Sequence, residues 1–231
     1  MAEWSAERQS PRLPIELPLL HEVEDEESHG RQVGWTRNLS EGGACIEIDG
    51  HLPLLTPLHI HLETDRGIIE VDAQVVWEME GEDQDPPGSE PTAGGVLHGV
   101  AFTHLAPDQL QTLRELLAAR EPGWTGGVRL TRDLTVTCEP PGASGPMIAG
   151  HTSNVSRGGL LLRLSQPIPP GTVLSLTFDP PKGRVKAEGE IVWVDPPERR
   201  HAGEPIRHGL RFTALGWSRA QSLALLLTDK T

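Results

Sequence analysis

The feature that most constrains the fold of this 231-residue chain is a long pattern that occurs twice. TRNLSEGGACIEI, beginning at Thr36, corresponds to TSNVSRGGLLLRL, beginning at Thr152, with an offset of 116 residues. Further along, LHGVAFTHL corresponds to RHGLRFTAL. This period far exceeds the roughly 20 to 50 residues of a solenoid repeat. The repeat therefore predicts two whole domains, residues 1–121 and residues 122–231.

Within each copy, apolar residues occur at every second position in the stretch that ends in tryptophan. This period is typical of half-buried antiparallel strands, and the 25 glycines and 21 prolines of the chain favour short strands in a small barrel. Each copy then ends in leucines at helical spacing. We therefore predict a mainly β protein with two antiparallel β-barrels, each followed by a C-terminal α-helix. The residues that carry these patterns are Val71, Ala73, Val75 and Trp77, Val185, Ala187, Ile191 and Trp193, and the helical Leu110, Leu113, Leu116, Leu117, Leu223, Leu226 and Leu227.

The charge of the chain argues against nucleic acids and anionic membranes as partners. Its 33 acidic and 20 basic residues give a formal net charge of −13, which repels polyanions. Residues 1–121 carry 7 basic and 24 acidic side chains, whereas residues 122–231 carry 13 and 9. This asymmetry predicts two units with different surfaces that attract one another.

Other sequence patterns argue against membrane insertion, a disulfide, a metal site and catalysis. No uncharged apolar run approaches the roughly 18 to 20 residues that span a bilayer, and MAEWSAERQS is unlike a secretion signal, so we expect a cytoplasmic protein without membrane insertion. Cys45 and Cys138 favour buried thiols over a disulfide. His59 and His61 share a strand face without a third ligand, so no metal site is predicted. Familiar catalytic motifs are absent from the sequence, so we predict neither an enzyme nor a cofactor.

Segments that fit neither period are expected to be solvated loops. They begin at His21, at Glu80 and at Asp195, and they are acidic or rich in proline and glycine. Such segments bury too little apolar surface to offset the entropy of ordering them. REPGWTGG, from Arg120 to Gly127, is expected to link the two domains.

A short polar motif precedes a strand in both copies. Asn38, Ser40 and Gly43 in the first copy correspond to Asn154, Ser156 and Gly159 in the second. Asparagine and serine can hydrogen-bond within a tight turn or to a ligand, and glycine allows close approach of the backbone. On its own this motif indicates a turn.

Two arginines near the amino terminus make the motif more specific. Arg8 and Arg12 form an RxxxR pair upstream of the Asn/Ser/Gly motif, and together the two motifs resemble the PilZ domain family. The resemblance covers essentially the whole chain as two copies. It implies binding of the bacterial second messenger cyclic di-GMP, with Arg8 and Arg12 holding guanine and phosphate groups and Asn38, Ser40 and Gly43 completing the pocket.

The chemistry of arginine supports the same ligand class. A cyclic dinucleotide presents two phosphodiesters and flat purines with N7 and O6 acceptors. A guanidinium matches both groups, because it offers a rigid fork of donors and stacks on π faces. A solvated N-terminal arm with surface ion pairs is the alternative interpretation of these arginines.

The second copy departs from the arginine motif. We align Arg132 with Arg12, because RDLTV parallels RLPIE, and the nearest upstream arginine is then Arg129, which gives RxxR. Either Arg129 reaches a ligand from a shifted backbone, or this copy has lost binding and is a docking or dimerising element. We favour reduced binding, because a shift of one residue along an extended chain turns a side chain to the opposite face. Arg129, Arg132, Asn154, Ser156 and Gly159 are therefore a second candidate site.

The sequence thus leaves two functions from different classes. The first is a non-catalytic receptor that binds cyclic di-GMP mainly through its N-terminal domain and signals by rearranging its domains or a protein partner. The second is a PilZ-like adaptor that binds a protein partner and no nucleotide.

Overall fold

The computed structural model describes residues 11–23, 30–80, 94–120, 127–140, 147–178, 184–199, 201 and 203–229. Two antiparallel β-barrels follow one another along the chain, and each is followed by one helix, as the alternation and the leucine spacing predict. The described helices include none that is both long enough and apolar enough to cross a membrane.

The first barrel is a closed ring of six strands. Their order around the barrel is β1-β2-β3-β6-β5-β4, and β1 pairs with β4 to close it. Helix α1 follows and packs against β5, burying Leu113 and Leu116. The elements are β1 (Pro18–Val23), β2 (Gln32–Ser40), β3 (Gly43–Ile48), β4 (Pro57–Thr64), β5 (Gly67–Glu80), β6 (Val96–His104) and α1 (Pro107–Ala118).

The second barrel repeats this arrangement. Its strand order is β10-β13-β12-β11-β8-β9, and pairing of β9 with β10 closes the ring, while the short β7 lies beside β9. The elements are β7 (Leu130–Thr131), β8 (Thr135–Glu139), β9 (Ile148–Ser156), β10 (Gly159–Leu164), β11 (Val173–Phe178), β12 (Val185–Val194), a 3-10 turn (Pro197–Arg199), β13 (Ile206–Ala214) and α2 (Trp217–Thr228).

The two barrels share one continuous hydrophobic core. Helix α2 contributes most to this contact, because it packs on β1 and β2 of the first barrel as well as on β12 of its own. The indole Nε1 of Trp35 donates a 2.7 Å hydrogen bond to the carbonyl of Ala220, and Trp217 donates one of 3.3 Å to Asp49. The domains are therefore joined by apolar packing and by specific hydrogen bonds.

A tryptophan near the end of the long strand of each copy, Trp77 in β5 and Trp193 in β12, packs over a glycine. A Cβ added to Gly99 would lie 1.9 Å from Trp77 Nε1, and one added to Gly209 would lie 1.9 Å from Trp193 Nε1. Glycine is therefore required opposite each indole, which explains why the HG pair recurs in both copies.

A buried histidine fixes the loop after the third strand in both barrels. The Leu52 N–H donates to His98 Nε2 at 3.1 Å, and the Ile168 N–H donates to His208 Nε2 at 3.0 Å. The other ring nitrogen of each lies beside a carbonyl two residues earlier in the chain. These contacts fit a neutral ring with its proton on Nδ1.

The loop expected from His21 begins later than the sequence indicates. Strand β1 continues to Val23, and the side chain of His21 points into the barrel with 1% exposure. Leu19 and His21 are two residues apart in the strand and therefore face the same way, into the barrel. A neutral histidine can occupy such an inward position, so the strand continues past His21. The pKa of His21 is lowered to about 4, mainly by burial and to a smaller extent by the nearby His98.

This buried histidine predicts a loss of stability in mild acid. An unfolded histidine titrates near pH 6.5 and the folded His21 near pH 4, so the folded state loses stability as the pH falls from 6.5 towards 4. His21→Leu removes the titrating group. Between pH 7 and pH 5, the wild type should lose about 2 kcal/mol more unfolding free energy than the variant, measured by urea denaturation. Equal losses in the two proteins would contradict this assignment.

Candidate functional site

The residues of each Asn/Ser/Gly motif flank the two-residue turn of a β-hairpin. The Ser40 hydroxyl donates a 3.0 Å hydrogen bond to the carbonyl of Gly43, and the Ser156 hydroxyl donates one of 3.0 Å to the carbonyl of Gly159. Both serines are buried. Their hydroxyls therefore close the turn between the second and third strands of each barrel.

The second glycine of each motif lies against the backbone of the neighbouring strand. A Cβ at Gly43 would lie 2.3 Å from the Val100 carbonyl oxygen, and one at Gly159 would lie 2.1 Å from that of Leu210. The preceding Gly42 and Gly158 face open space. The second glycines are thus needed for barrel packing, whether or not a ligand binds.

Arg12 lies beside the first of these turns. Two backbone hydrogen bonds of 2.9 Å join Leu13 to Leu39, which places the chain around Arg12 alongside the end of β2. Arg12 is exposed, and it forms no ion pair with any carboxylate of the described residues. Arg8, the other predicted arginine, lies outside the described residues.

A β-bulge in β2 contains a further arginine, Arg37, a few residues before the β2–β3 turn. Thr36 pairs with Ile46 and Asn38 pairs with Cys45, so Arg37 is the extra residue between them. Bulges redirect side chains and are common beside functional sites. The Asn38 Oδ1 accepts a 3.2 Å hydrogen bond from the Cys45 N–H across the hairpin. Sequence patterns did not identify Arg37, because the extra residue of a bulge is visible only in the strand register.

Charged groups of both signs surround the buried Cys45 thiol. Burial raises the pKa of this thiol, the nearby Arg12 and Arg37 lower it, and Glu47 raises it. Arg12 and Arg37 are therefore both close enough to act on this thiol. Arg37 itself lies 3.3 Å from Glu16 and 3.5 Å from Glu47.

This arrangement can bind an anion at the surface of the first barrel. Arg12, whose guanidinium has no carboxylate partner among the described residues, lies in the segment that pairs with the end of β2, where Arg37 and Asn38 follow one another in the chain. Charge-assisted hydrogen bonds from arginine to phosphate are about twice as strong as neutral ones. A surface groove of about 570 Å³ lies elsewhere, between α2 and the residues around Gln32 and Asp49, and none of these three residues lines it.

The structure corrects the alignment of the second arginine motif. Leu130 pairs with Val155 just as Leu13 pairs with Leu39, so the counterpart of Arg12 is Arg129 and not Arg132. Arg129 Nη1 lies 3.5 Å from Asn154 Oδ1, beside the second turn. In the same register, the counterpart of Arg8 is Thr125, which lies outside the described residues.

Arg132 is instead the counterpart of Ile15. The Thr36 hydroxyl donates to the carbonyl of Ile15, and the Thr152 hydroxyl donates to that of Arg132 in the same way. The Arg132 guanidinium turns towards the domain interface, where it lies 3.1 Å from Glu63 and 2.9 Å from the carbonyl of Leu227. It therefore joins the two domains and is not part of a second ligand site.

The two histidines on β4 pair with carboxylates on the outer face of the first barrel. His59 Nδ1 lies 2.6 Å from Asp72, and His61 Nδ1 lies 3.5 Å from Glu70. Across the described part of the chain, no three histidine, cysteine or acidic side chains are grouped closely enough to hold a metal ion.

Comparison with known proteins identifies one family. The family model described as "PilZ domain" matches residues 6–119 and residues 127–226. No curated protein matches the sequence. Similar solved structures include the Bacillus subtilis inhibitor of motility MotI/DgrA, at 13% identity over 91% of this chain and 94% of that one, with a TM-score of 0.37. YcgR from Escherichia coli in complex with c-di-GMP matches at 12% identity over 91% and 82%, with a TM-score of 0.35.

Proposed function

Since this chain belongs to the PilZ domain family in two segments that cover most of its length, we propose that it is a non-catalytic receptor for cyclic di-GMP. The ligand binds at the first barrel, between the amino-terminal arginines and the β2–β3 turn. The second barrel responds to binding or passes the signal to a protein partner, in the cytoplasm of a bacterium.

One observation supports this proposal most strongly. The backbone bridge between Leu13 and Leu39 brings the segment of the exposed Arg12 to the end of β2, next to Asn38. These residues are separated by more than twenty positions in the sequence, and the fold makes them neighbours. Members of the family commonly bind cyclic di-GMP with this pair of motifs.

The chemistry of the residues fits the two parts of the ligand. Arginine forks match phosphodiester oxygens and the N7 and O6 acceptors of guanine. Arg12 supplies one such fork and Arg37 a second, while Arg8 is proposed to supply a third. The arginines can also stack on the purine rings. Ser40 and Gly43 act indirectly, because they hold the turn in shape.

The second candidate function is an adaptor that binds a protein and no nucleotide. One observation favours it: Ser40 and Gly43 are both required by the hairpin itself, so the motif would be kept in a barrel that binds no ligand. The presence of the motif therefore does not by itself distinguish an adaptor from a receptor. The guanidinium of Arg12, which has no carboxylate partner among the described residues, favours the receptor.

Calorimetric titration of cyclic di-GMP into the full chain tests the proposal. We expect micromolar or tighter affinity, and weaker binding of cyclic di-AMP, because adenine lacks the O6 acceptor that arginine contacts on guanine. Absence of binding at millimolar nucleotide would contradict the receptor. Pull-down of a partner to the same extent with and without nucleotide would then support the adaptor.

A further inference from the structure

Arg157 occupies the motif turn of the second barrel but makes its contacts with the first. It stands between Ser156 and Gly158, at the position that Glu41 holds in the first copy. Glu41 pairs within its own domain, 3.0 Å from Arg114 on α1. The Arg157 guanidinium instead lies 5.6 Å from the centre of the Trp35 ring, and its side chain is only 10% exposed.

Two carboxylates of the first barrel receive this guanidinium. Arg157 lies 2.7 Å from Glu47 and 3.6 Å from Glu16. Glu47 is as buried as Arg157, with 10% of its side chain exposed. An ion pair that is largely withdrawn from water is screened little by salt, so its charges act strongly on their neighbours.

The same two carboxylates also hold Arg37. Glu16 and Glu47 lie 3.3 Å and 3.5 Å from Arg37, so two acidic and two basic side chains form one cluster with no net charge. Without Arg157, this cluster would carry one net negative charge beside the candidate anion site. Arg37 would then be held more tightly by the carboxylates and would be less available to a phosphate.

We propose that Arg157 is a positioning residue for the first ligand site, supplied by the motif turn of the second barrel. By neutralising Glu16 and Glu47, it leaves Arg37 available to the anionic ligand and reduces the negative field at Arg12. This inference rests on the proposed receptor function. It also gives the second motif a role without a ligand of its own, and it couples the affinity of the first site to the docking of the two domains.

A double-mutant cycle with cyclic di-GMP separates this role from simple packing. Arg157→Ala should weaken binding about tenfold, within the usual range of coupling between sites. Glu47→Gln removes the carboxylate that Arg157 neutralises, so the double variant Arg157→Ala with Glu47→Gln should recover most of the wild-type affinity. Arg211→Ala is the matched control, because it removes one arginine of the same domain from an exposed 3.0 Å pair with Glu190.

The outcomes distinguish this inference from the proposed function. Wild-type affinity in Arg157→Ala would overturn the inference and leave the receptor intact. Equal weakening in the single and double variants would also overturn it, because that result would indicate lost packing rather than lost neutralisation. Absence of binding by the wild type would overturn the receptor function and the inference with it. Urea denaturation of each variant verifies that it is folded during the titration.

Discussion

Arg12→Ala is expected to weaken the binding of cyclic di-GMP by about 100-fold, equivalent to about 2.7 kcal/mol. Arg12 offers a guanidinium without a carboxylate partner among the described residues, directly beside the β2–β3 turn. Its loss would remove charge-assisted hydrogen bonds to the ligand and leave the acceptor that Arg12 contacts without that partner. Calorimetric titration of the full chain measures the effect, and the free energy of unfolding should change little because Arg12 is exposed.

Two further variants show whether this loss is specific. Arg66→Ala removes an exposed arginine of the same barrel that pairs with Glu115, and should leave the affinity unchanged. Arg129→Ala removes the structural counterpart of Arg12 in the second barrel. We expect it to have little effect, because the counterpart of Arg8 in that copy is Thr125. Wild-type affinity in Arg12→Ala, or an equal loss in Arg66→Ala, would contradict the proposed site.

Gly43→Ala is expected to destabilise the protein by about 3 kcal/mol. The added methyl group would lie 2.3 Å from the Val100 carbonyl oxygen. That oxygen belongs to the backbone of β6, which is paired on both sides and cannot move without disturbing the barrel. Urea denaturation of the variant and of the wild type gives the difference in unfolding free energy.

The chain contains a matched control for this substitution. Gly42 is the adjacent residue of the same turn and has open space where its Cβ would be, so Gly42→Ala should change stability by less than about 0.5 kcal/mol. Equal stabilities of the two variants would refute the packing role of Gly43. If the prediction holds, loss of ligand binding in Gly43→Ala reflects a damaged hairpin and not a lost ligand contact.

The fold was largely predictable from the sequence because the period-two alternation of the strands and the leucine spacing of the helices are both local patterns. Alternation through Val71, Ala73 and Val75 indicates strands, and the second copy repeats it, so two barrels with terminal helices followed directly. The position of α2 was not predictable. Its apolar residues fit packing on either barrel equally well, and only the structure shows Trp35 donating to Ala220 of this helix.

The geometry of the candidate site was predictable in part. The motif spacing identified the region of Arg12 and Asn38, and the structure brings those two segments together. The other features of the candidate site depend on strand register, which is set by long-range pairing and is not visible in the sequence. The register aligns Arg129 with Arg12 and introduces Arg37 through a bulge. The contacts of Arg157 with the first barrel were not predicted either, because its position in a turn motif indicates nothing about contacts across a domain interface.

The most direct test of the account is an NMR titration of the ¹⁵N-labelled full chain with cyclic di-GMP. We predict saturable shift changes at the side chain of Arg12 and at the backbone amides of Arg37, Asn38 and Cys45, with smaller changes at Arg157. A spectrum that saturating nucleotide leaves unchanged, or changes confined to the second barrel around Asn154, would contradict it.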